Sequence, residues 1–299
     1  MNVLTRSGVL AYILKKTQKI PYIIIEHWSR YLPENNSYNG FLRKIVTFLV
    51  ARKAAAILPV SKSLEKAMKN KGIVNKNYKV VNNVVDDFFF MPSPSLISFK
   101  DEPKTILHIS CFSDEAKNIS GILQATKMLL QKRNDFKLIL IGDGVDFENI
   151  RSISEQLSLQ KNVFFLGEKK PQDVYHWLNR CAFTVLFSNY ENAPVVISES
   201  LAAGKPVVAT DVGGISEMIN KQNGILIPIK NTEKLAEAMN EMLDNFEKYP
   251  SKRISEQAYK DYSFEYTGKR LFEIYKETLR QYDKNKYTFH NECQTGNTL

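Results

Sequence analysis

In SNYENAPVVISESLAAGKPVVATDVGG, residues 188–214, two carboxylates stand with seven residues between them, Glu191 and Glu199. An ionised carboxylate presents two acceptor oxygens and suits a pair of neighbouring hydroxyls. Pro194 suits the first turn of a helix. That leaves Glu191 in the loop before the helix and Glu199 roughly one and a half turns inside it, so one ligand can meet both. Backbone N–H groups around Ala193 to Val195 would sit at the helix N-terminus, a place that favours an anion such as phosphate. Hydroxyl pairs beside a phosphate describe a sugar nucleotide. Glutamates at this spacing also arise by chance as solvated surface charges, so the weight falls on their surroundings.

Those surroundings are strands alternating with helices. Apolar runs at TILHISC (105–111), FKLILIG (136–142), NVFFLG (162–167), CAFTVLF (181–187), KPVVAT (205–210) and GILIP (224–228) are separated by segments of helical spacing such as SGILQATKMLLQKR and PQDVYHWLNR. Strands that are apolar throughout, alternating with amphipathic helices, predict a parallel sheet covered on both faces: a doubly wound, Rossmann-like α/β domain. In such a sheet ligands gather beyond the carboxyl ends of the strands, and Glu191 falls there, after CAFTVLF. Upstream, IPYIIIEHW and AAAILPVSKSLEKAM read as two more strand units and YKVVNNVVDD as a further strand. FFFMPSPSLISFKDEP, with three prolines, reads as a linker. About 90 residues precede that linker, fewer than a whole Rossmann-like domain uses, so the first domain is expected to lack its opening strands.

The charge is uneven. Residues 1–92 carry 15 Lys or Arg against 5 Asp or Glu, and the rest of the chain carries 26 against 27. GFLRKIVTFLVARKAAA and SKSLEKAMKNKG mix basic with apolar residues, the pattern of a surface attracted to anionic lipid headgroups or to phosphate-bearing substrates. A solvated helix face is the alternative. No zinc pattern, aromatic RNA-binding signature or recognition-helix motif accompanies the charge, so nucleic acid is not expected as a partner. No apolar run reaches the roughly 18 residues of a membrane span. GVLAYIL ends in Lys15 and Lys16 without a cleavage pattern, so no secretory signal is predicted. Cys111, Cys181 and Cys293 are odd in number and unaccompanied by histidine in a ligand pattern, which fits a reducing compartment. The expected location is cytoplasmic, with the inner face of the membrane as a peripheral site.

SNYEN, ESLAAGKPVVATDVGGISEMI and NGILIP follow one another in an order that resembles the retaining glycosyltransferases of family 4. Gly204, Pro206, Val207, Val208, Ala209, Thr210, Gly213 and Gly214 take the places of that family's small-Gly-x-Pro-Val-Val-Ala-Thr segment and of its Gly-Gly loop. VVNNVVDDFFFMP is similar to its interdomain signature through Asn83, Val85, Asp86, Phe90 and Pro92, with Val84 where glycine is usual. The resemblance implies the GT-B fold, two Rossmann-like domains facing across a cleft, the N-terminal one incomplete. It sets an acceptor-side domain at 1–91, a linker at 92–104 and a nucleotide-sugar-binding domain at 105–258. Helices at 259–286 pack back toward the N-terminal domain, and 287–299 form a disordered tail.

By the same resemblance Glu191 holds hydroxyls of the donor sugar and Glu199 those of the ribose, with Asn192, Ala193, Pro194, Val195 and Gly142 also at the donor. Lys117, in DEAKN, stabilises the departing diphosphate, and His27, closing IPYIIIEHW, acts from the facing domain. The implied reaction moves a sugar from a nucleotide diphosphate donor to a glycan or lipid-linked acceptor, with retention, in cell-surface polysaccharide synthesis. The donor is a substrate; no cofactor and no metal are expected, and no Asp-x-Asp triplet stands in the chain to hold one. GDGVDF fails as a dinucleotide fingerprint, since Phe147 replaces the third glycine. One departure bears on catalysis: where the family usually has an arginine ahead of the phosphate lysine, this chain has Cys111 and Phe112. Two alternatives follow, a non-catalytic nucleotide-sugar-binding or partner-binding protein and a nucleotide-sugar epimerase on the same fold.

Overall fold

All six apolar runs after Thr105 become strands, each reached from the last through a helix. The computed structural model describes residues 6–35, 37–91 and 103–295. The chain divides into two units at Asn82/Asn83 and at Phe264/Glu265, the C-terminal segment joining the N-terminal unit.

The N-terminal unit opens with α1 (Arg6–Gln18), β1 (Ile23–Glu26), α2 (Phe41–Lys53), β2 (Ala56–Pro59) and α3 (Lys62–Asn70). β1 and β2 pair in parallel, from Ile23 opposite Ala56 to Glu26 opposite Pro59. Ser61 caps α3 by accepting the Leu64 N–H at 3.1 Å. The strand expected over 78–87 does not form, and Tyr78 and Val85 make only isolated bridges, to Ile57 and Ser263. Lys79 and Val81 do donate to the carbonyls of Ile57 and Pro59, each at 3.0 Å. Pro59 has no N–H to return, so the ladder stops there, and Val85 instead donates to Tyr262 at 2.9 Å.

The C-terminal unit continues with β3 (Lys104–Ile109), α4 (Asp114–Lys117), α5 (Ile119–Leu130), β4 (Phe136–Ile141), α6 (Phe147–Gln156), β5 (Val163–Phe165) and α7 (Pro171–Arg180). There follow β6 (Phe183–Leu186), α8 (Val195–Ala202), β7 (Val207–Thr210), α9 (Ile215–Met218), β8 (Gly224–Ile227), α10 (Thr232–Asn245) and α11 (Ser251–Tyr262). The strands form one parallel sheet in the order β5-β4-β3-β6-β7-β8. Successive residues face opposite sides. Ile106, Leu138, Leu140 and Val185 pack with Ile122 of α5 and Met239 of α10. Leu107, Ile139, Leu186 and Ala209 pack with Leu178 of α7, Ile197 of α8 and Ile254 of α11. The four inner strands β4, β3, β6 and β7 are therefore buried on both sides, which is why their runs read as unbroken apolar sequence. The chain steps outward from β3 through β4 to β5 and then returns to the other side of β3 as β6. This reversal sets the loops after β3 and β6 side by side at the carboxyl edge, where sheets of this kind bind ligands.

Three boundaries differ from expectation. Residues 83–91 belong with the C-terminal unit, where Val85 and Phe89 join the layer of α7 and α8. α11, expected in part among helices packing toward the N-terminal domain, lies against α8 instead, its Ile254 and Ala258 sharing a core with Ile197 and Leu201. α12 (Phe264–Thr295) enters the N-terminal unit at Glu265, where Ile274 packs with Ala56, Leu58 and Val81, and Glu277 pairs with Lys79. α12 also runs past Tyr287, where a disordered tail is expected; no glycine or proline interrupts the chain between Gly268 and Gly296. Of the expected linker at 92–104, residues 92–102 lie outside the described residues.

Candidate functional site

Lys117 ends α4, a single turn that Asn118 closes in the left-handed conformation, φ 48° and ψ 49°. Asn118 at once starts α5, its side-chain oxygen accepting the Gly121 N–H at 3.2 Å. Asp114 accepts from Ser120 N–H at 2.8 Å, and Asp146 accepts from Asp114 N–H at 2.7 Å. SDEAKNIS thus folds as a rigid double turn, because its short polar side chains satisfy the backbone groups that a helix end leaves open.

The loop after β6 is tied to that turn. Asn189 donates its backbone N–H to Ala116 O at 2.8 Å and its side-chain amide to Glu115 O at 2.9 Å. Lys117 Nζ pairs with Glu191 Oε1, the oxygen that also accepts the Ser188 hydroxyl at 3.1 Å. Ser188 is held in turn by Thr210, whose hydroxyl donates to Ser188 O at 2.8 Å. Glu191 is almost wholly buried, so its charge is balanced by a cation within the protein rather than by water. Gly213, at φ +56°, makes this approach possible: a Cβ there would lie 1.8 Å from Glu191 O. Gly142, at φ +136°, crosses the β3 loop in the same way, with Ser110 O 1.8 Å from where its Cβ would stand.

Pro194 proves to be the N-cap of α8 rather than a residue of its first turn, with φ −66° and ψ 120°. It has no N–H, so the donors at this helix start are Ala193, Val195 and Val196, not a continuous run over 193–195. Glu199 lies on the second turn, half-buried, and its carboxyl is pushed up to about 7, first by burial and then by the charge of Asp86. The segment carrying Asp86 is pinned beside α8, since Asn83 donates its side-chain amide to Ala193 O at 3.0 Å. The structure therefore brings Lys117 against Glu191, with Asn192, Ala193, Pro194 and Val195 following Glu191 in the chain up to the start of α8, Glu199 on that helix, and Gly142 in the loop that follows β4.

His27 belongs to the other unit, exposed one residue beyond β1. Its backbone is fixed by Glu26, fully buried, whose Oε1 accepts from the N–H groups of His27 at 3.1 Å and Trp28 at 3.0 Å. Glu26 was not legible as a functional residue, because a glutamate ending an isoleucine run looks like the first solvated position after a strand.

His108 was likewise missed within TILHISC. It is fully buried, and burial pushes its imidazole down to about 4, so it is neutral. A carbonyl can only accept, so Nδ1 donates to Val185 O at 2.9 Å; Nε2 then accepts the Ser110 hydroxyl at 2.8 Å. A polar residue inside a continuous apolar strand was the available signal. Phe112, at one of the positions where an arginine is usual, is fully buried and stacks on Phe147 with centroids 5.5 Å apart, whereas Cys111 is exposed.

A family model described as "Glycosyl transferases group 1" matches residues 96–261, more than half of the chain. The chain belongs to this family. Among group 1 glycosyltransferases and related proteins, it is 29% identical over 215 residues to the N-acetylgalactosamine-N,N'-diacetylbacillosaminyl-diphospho-undecaprenol 4-alpha-N-acetylgalactosaminyltransferase of Campylobacter jejuni, covering 70% of this chain and 56% of that protein. It is 29% identical over 219 residues to the N-acetyl-alpha-D-glucosaminyl L-malate synthase of Bacillus anthracis, covering 71% of this chain and 56% of that one. The chain thus spans little more than half the length of these two relatives. Its fold is GT-B. Anabaena HepE, solved in complex with UDP, superposes with a TM-score of 0.78 at 21% identity, covering 91% of this chain and 76% of HepE. Sucrose-phosphate synthase of Thermosynechococcus elongatus gives 0.78 at 19%, covering 92% and 72%.

Proposed function

We propose that this group 1 family member transfers a sugar from a nucleotide diphosphate donor to a hydroxyl of a glycan or lipid-linked acceptor, with retention, in the assembly of a cell-surface polysaccharide. The observation that carries the reading is the Lys117–Glu191 pair at the sheet reversal, one helix start away from Glu199. Lys117 has three N–H donors, so it can keep Glu191 and still reach a phosphate oxygen. The diphosphate would lie between Lys117 and the first turn of α8, where charge grows on its oxygen as the bond to the anomeric carbon breaks. The acceptor hydroxyl oxygen bonds to that carbon on the same face, and its proton passes to the departing phosphate oxygen. Glu199 would take the ribose hydroxyls, Glu191 those of the sugar, and His27 would act near the sugar from the N-terminal unit. The donor is a substrate, and the proposal includes no cofactor and no metal. HepE is described with UDP, which makes UDP the first nucleotide to test.

The acceptor side is proposed to meet an anionic membrane surface, on the inner face of the membrane. The buried Phe112 and the exposed Cys111 favour a second reading, nucleotide-sugar binding without transfer, because they leave Lys117 to meet the diphosphate without a neighbouring arginine.

Calorimetry with UDP, GDP and ADP tests the donor site. One nucleotide should bind selectively, and binding should weaken in both Lys117→Ala and Glu199→Ala. Binding that is unchanged in both variants would overturn the assigned site. The matching sugar nucleotide, incubated with a lipid extract and followed by nucleoside diphosphate release, separates transfer from binding alone. In that assay His27→Ala should lower release and leave nucleotide affinity intact.

A further inference from the structure

α2 is turned the wrong way for a helix of a water-soluble domain. Its large apolar residues Phe41, Leu42, Ile45, Phe48 and Leu49 recur at the spacing of a single helical stripe, and every one of them is exposed, Phe41 and Leu42 to 77%. The face it buries is the one bearing Thr47, Val50 and Ala51. α1 packs beside α2 and is joined to it by Lys15, whose ammonium donates to the Lys53 carbonyl at 2.5 Å. It too exposes Val9, Leu10 and Ile13, Leu10 to 61%. Scattered exposed leucines are ordinary, but a continuous stripe along one helix, extended by a second, marks a surface that something covers.

Charge says what that is. α1 and α2 together hold seven Lys or Arg and no Asp or Glu. On α2, Arg43, Lys44, Arg52 and Lys53 are all exposed, and by helical spacing Lys44 and Lys53 flank the stripe while Arg52 stands on it in the last turn. Apolar side chains that can enter the acyl region, flanked by cations at headgroup level, are complementary to an anionic bilayer. We propose that the α1–α2 face docks this protein on an anionic lipid surface, with Phe41, Leu42, Ile45 and Phe48 entering the headgroup–acyl boundary. This deepens the membrane partner proposed above and rests on that reading.

The test is co-sedimentation of the full chain with vesicles of phosphatidylcholine alone and of phosphatidylcholine with phosphatidylglycerol. Binding is expected to the anionic vesicles and to fall by about tenfold or more in Phe41→Ser/Leu42→Ser, through lost apolar burial. It should fall similarly in Lys44→Glu/Lys53→Glu. Both variants change exposed residues, so circular dichroism and melting temperature should match the parent. Absence of binding to anionic vesicles, equal binding to neutral ones, or unchanged binding by both variants would overturn the proposal. So would a parent protein that sediments as a dimer in solution and becomes monomeric in Phe41→Ser/Leu42→Ser, since the face would then be a protein interface. UDP calorimetry on the same preparations keeps the two readings apart: vesicle binding without nucleotide binding would sink the donor site and leave the docking face standing.

Discussion

In the C-terminal unit the strands turn alternate residues into two buried layers, one against α5 and α10 and one against α7, α8 and α11, and leave the polar loops at their carboxyl edge. In the N-terminal unit two four-residue strands pair, and α2 directs its apolar stripe outward. A sheet covered on both faces fixes the backbone of its loops, so charged side chains can be held within ångströms of one another over long sequence distances. A unit with a small sheet and an exposed apolar stripe leaves a face that another surface could cover.

Several changes would break or sharpen that contrast. The largest effect is expected at Gly213. Gly213→Ala puts a Cβ where Glu191 O stands and a side chain at positive φ, and should cost about 3 kcal/mol of stability by urea unfolding. A loss within about 0.5 kcal/mol would mean that the Gly213 and Glu191 backbones are not held as close as described. Next is Lys117→Ala, which takes from the buried Glu191 the cation paired with it. Nucleoside diphosphate affinity should fall about 100-fold, the scale of a charge-assisted hydrogen bond, and nucleoside affinity should hardly change.

Glu199 gives a pH signature. Its carboxyl stands near 7 in the folded protein against an ordinary value of 4.5. Between those values the folded state binds more protons than the unfolded one, so this group's contribution lowers stability as pH rises through the window. Ribose hydroxyls donate best to the ionised form, so UDP affinity should rise by several-fold, roughly fivefold, from pH 6 to pH 8. Glu199→Gln should flatten that rise, and a rise that persists in the variant would assign it to the nucleotide phosphate. The smallest effect belongs to the N-terminal unit: Phe41→Ser should leave stability within about 0.5 kcal/mol, because the residue is exposed.

Much of the C-terminal unit was legible. Apolar runs with helical segments between them mark six strands to within one or two residues at most ends, and PQDVYHWLNR is α7 from its first residue to its last, with Pro171 at its start. The placement of Glu191 in a loop and Glu199 on the following helix was legible for the same reason, since both follow from local periodicity and one proline. The failures are instructive. YKVVNNVVDD has the composition of a strand, but pairing depends on a neighbour, and Pro59 cannot complete the ladder. Ser188, Asn189, Glu26 and His108 gave no sign of what they hold, because their partners are groups that only the folded backbone brings near.

Sequence alone determined which segments are strands and helices in the C-terminal unit, which residue types stand at strand ends, and that the N-terminal part is basic. These are properties of residues a few positions apart, and short-range periodicity encodes them. Tertiary structure decided that Lys117 meets Glu191, 74 residues away, because strand order puts β6 beside β3. It also decided that α2 shows its apolar side to the outside: a helical stripe has the same spacing whether it faces a core or a bilayer, and only the packing of Thr47, Val50 and Ala51 against their own unit fixes which.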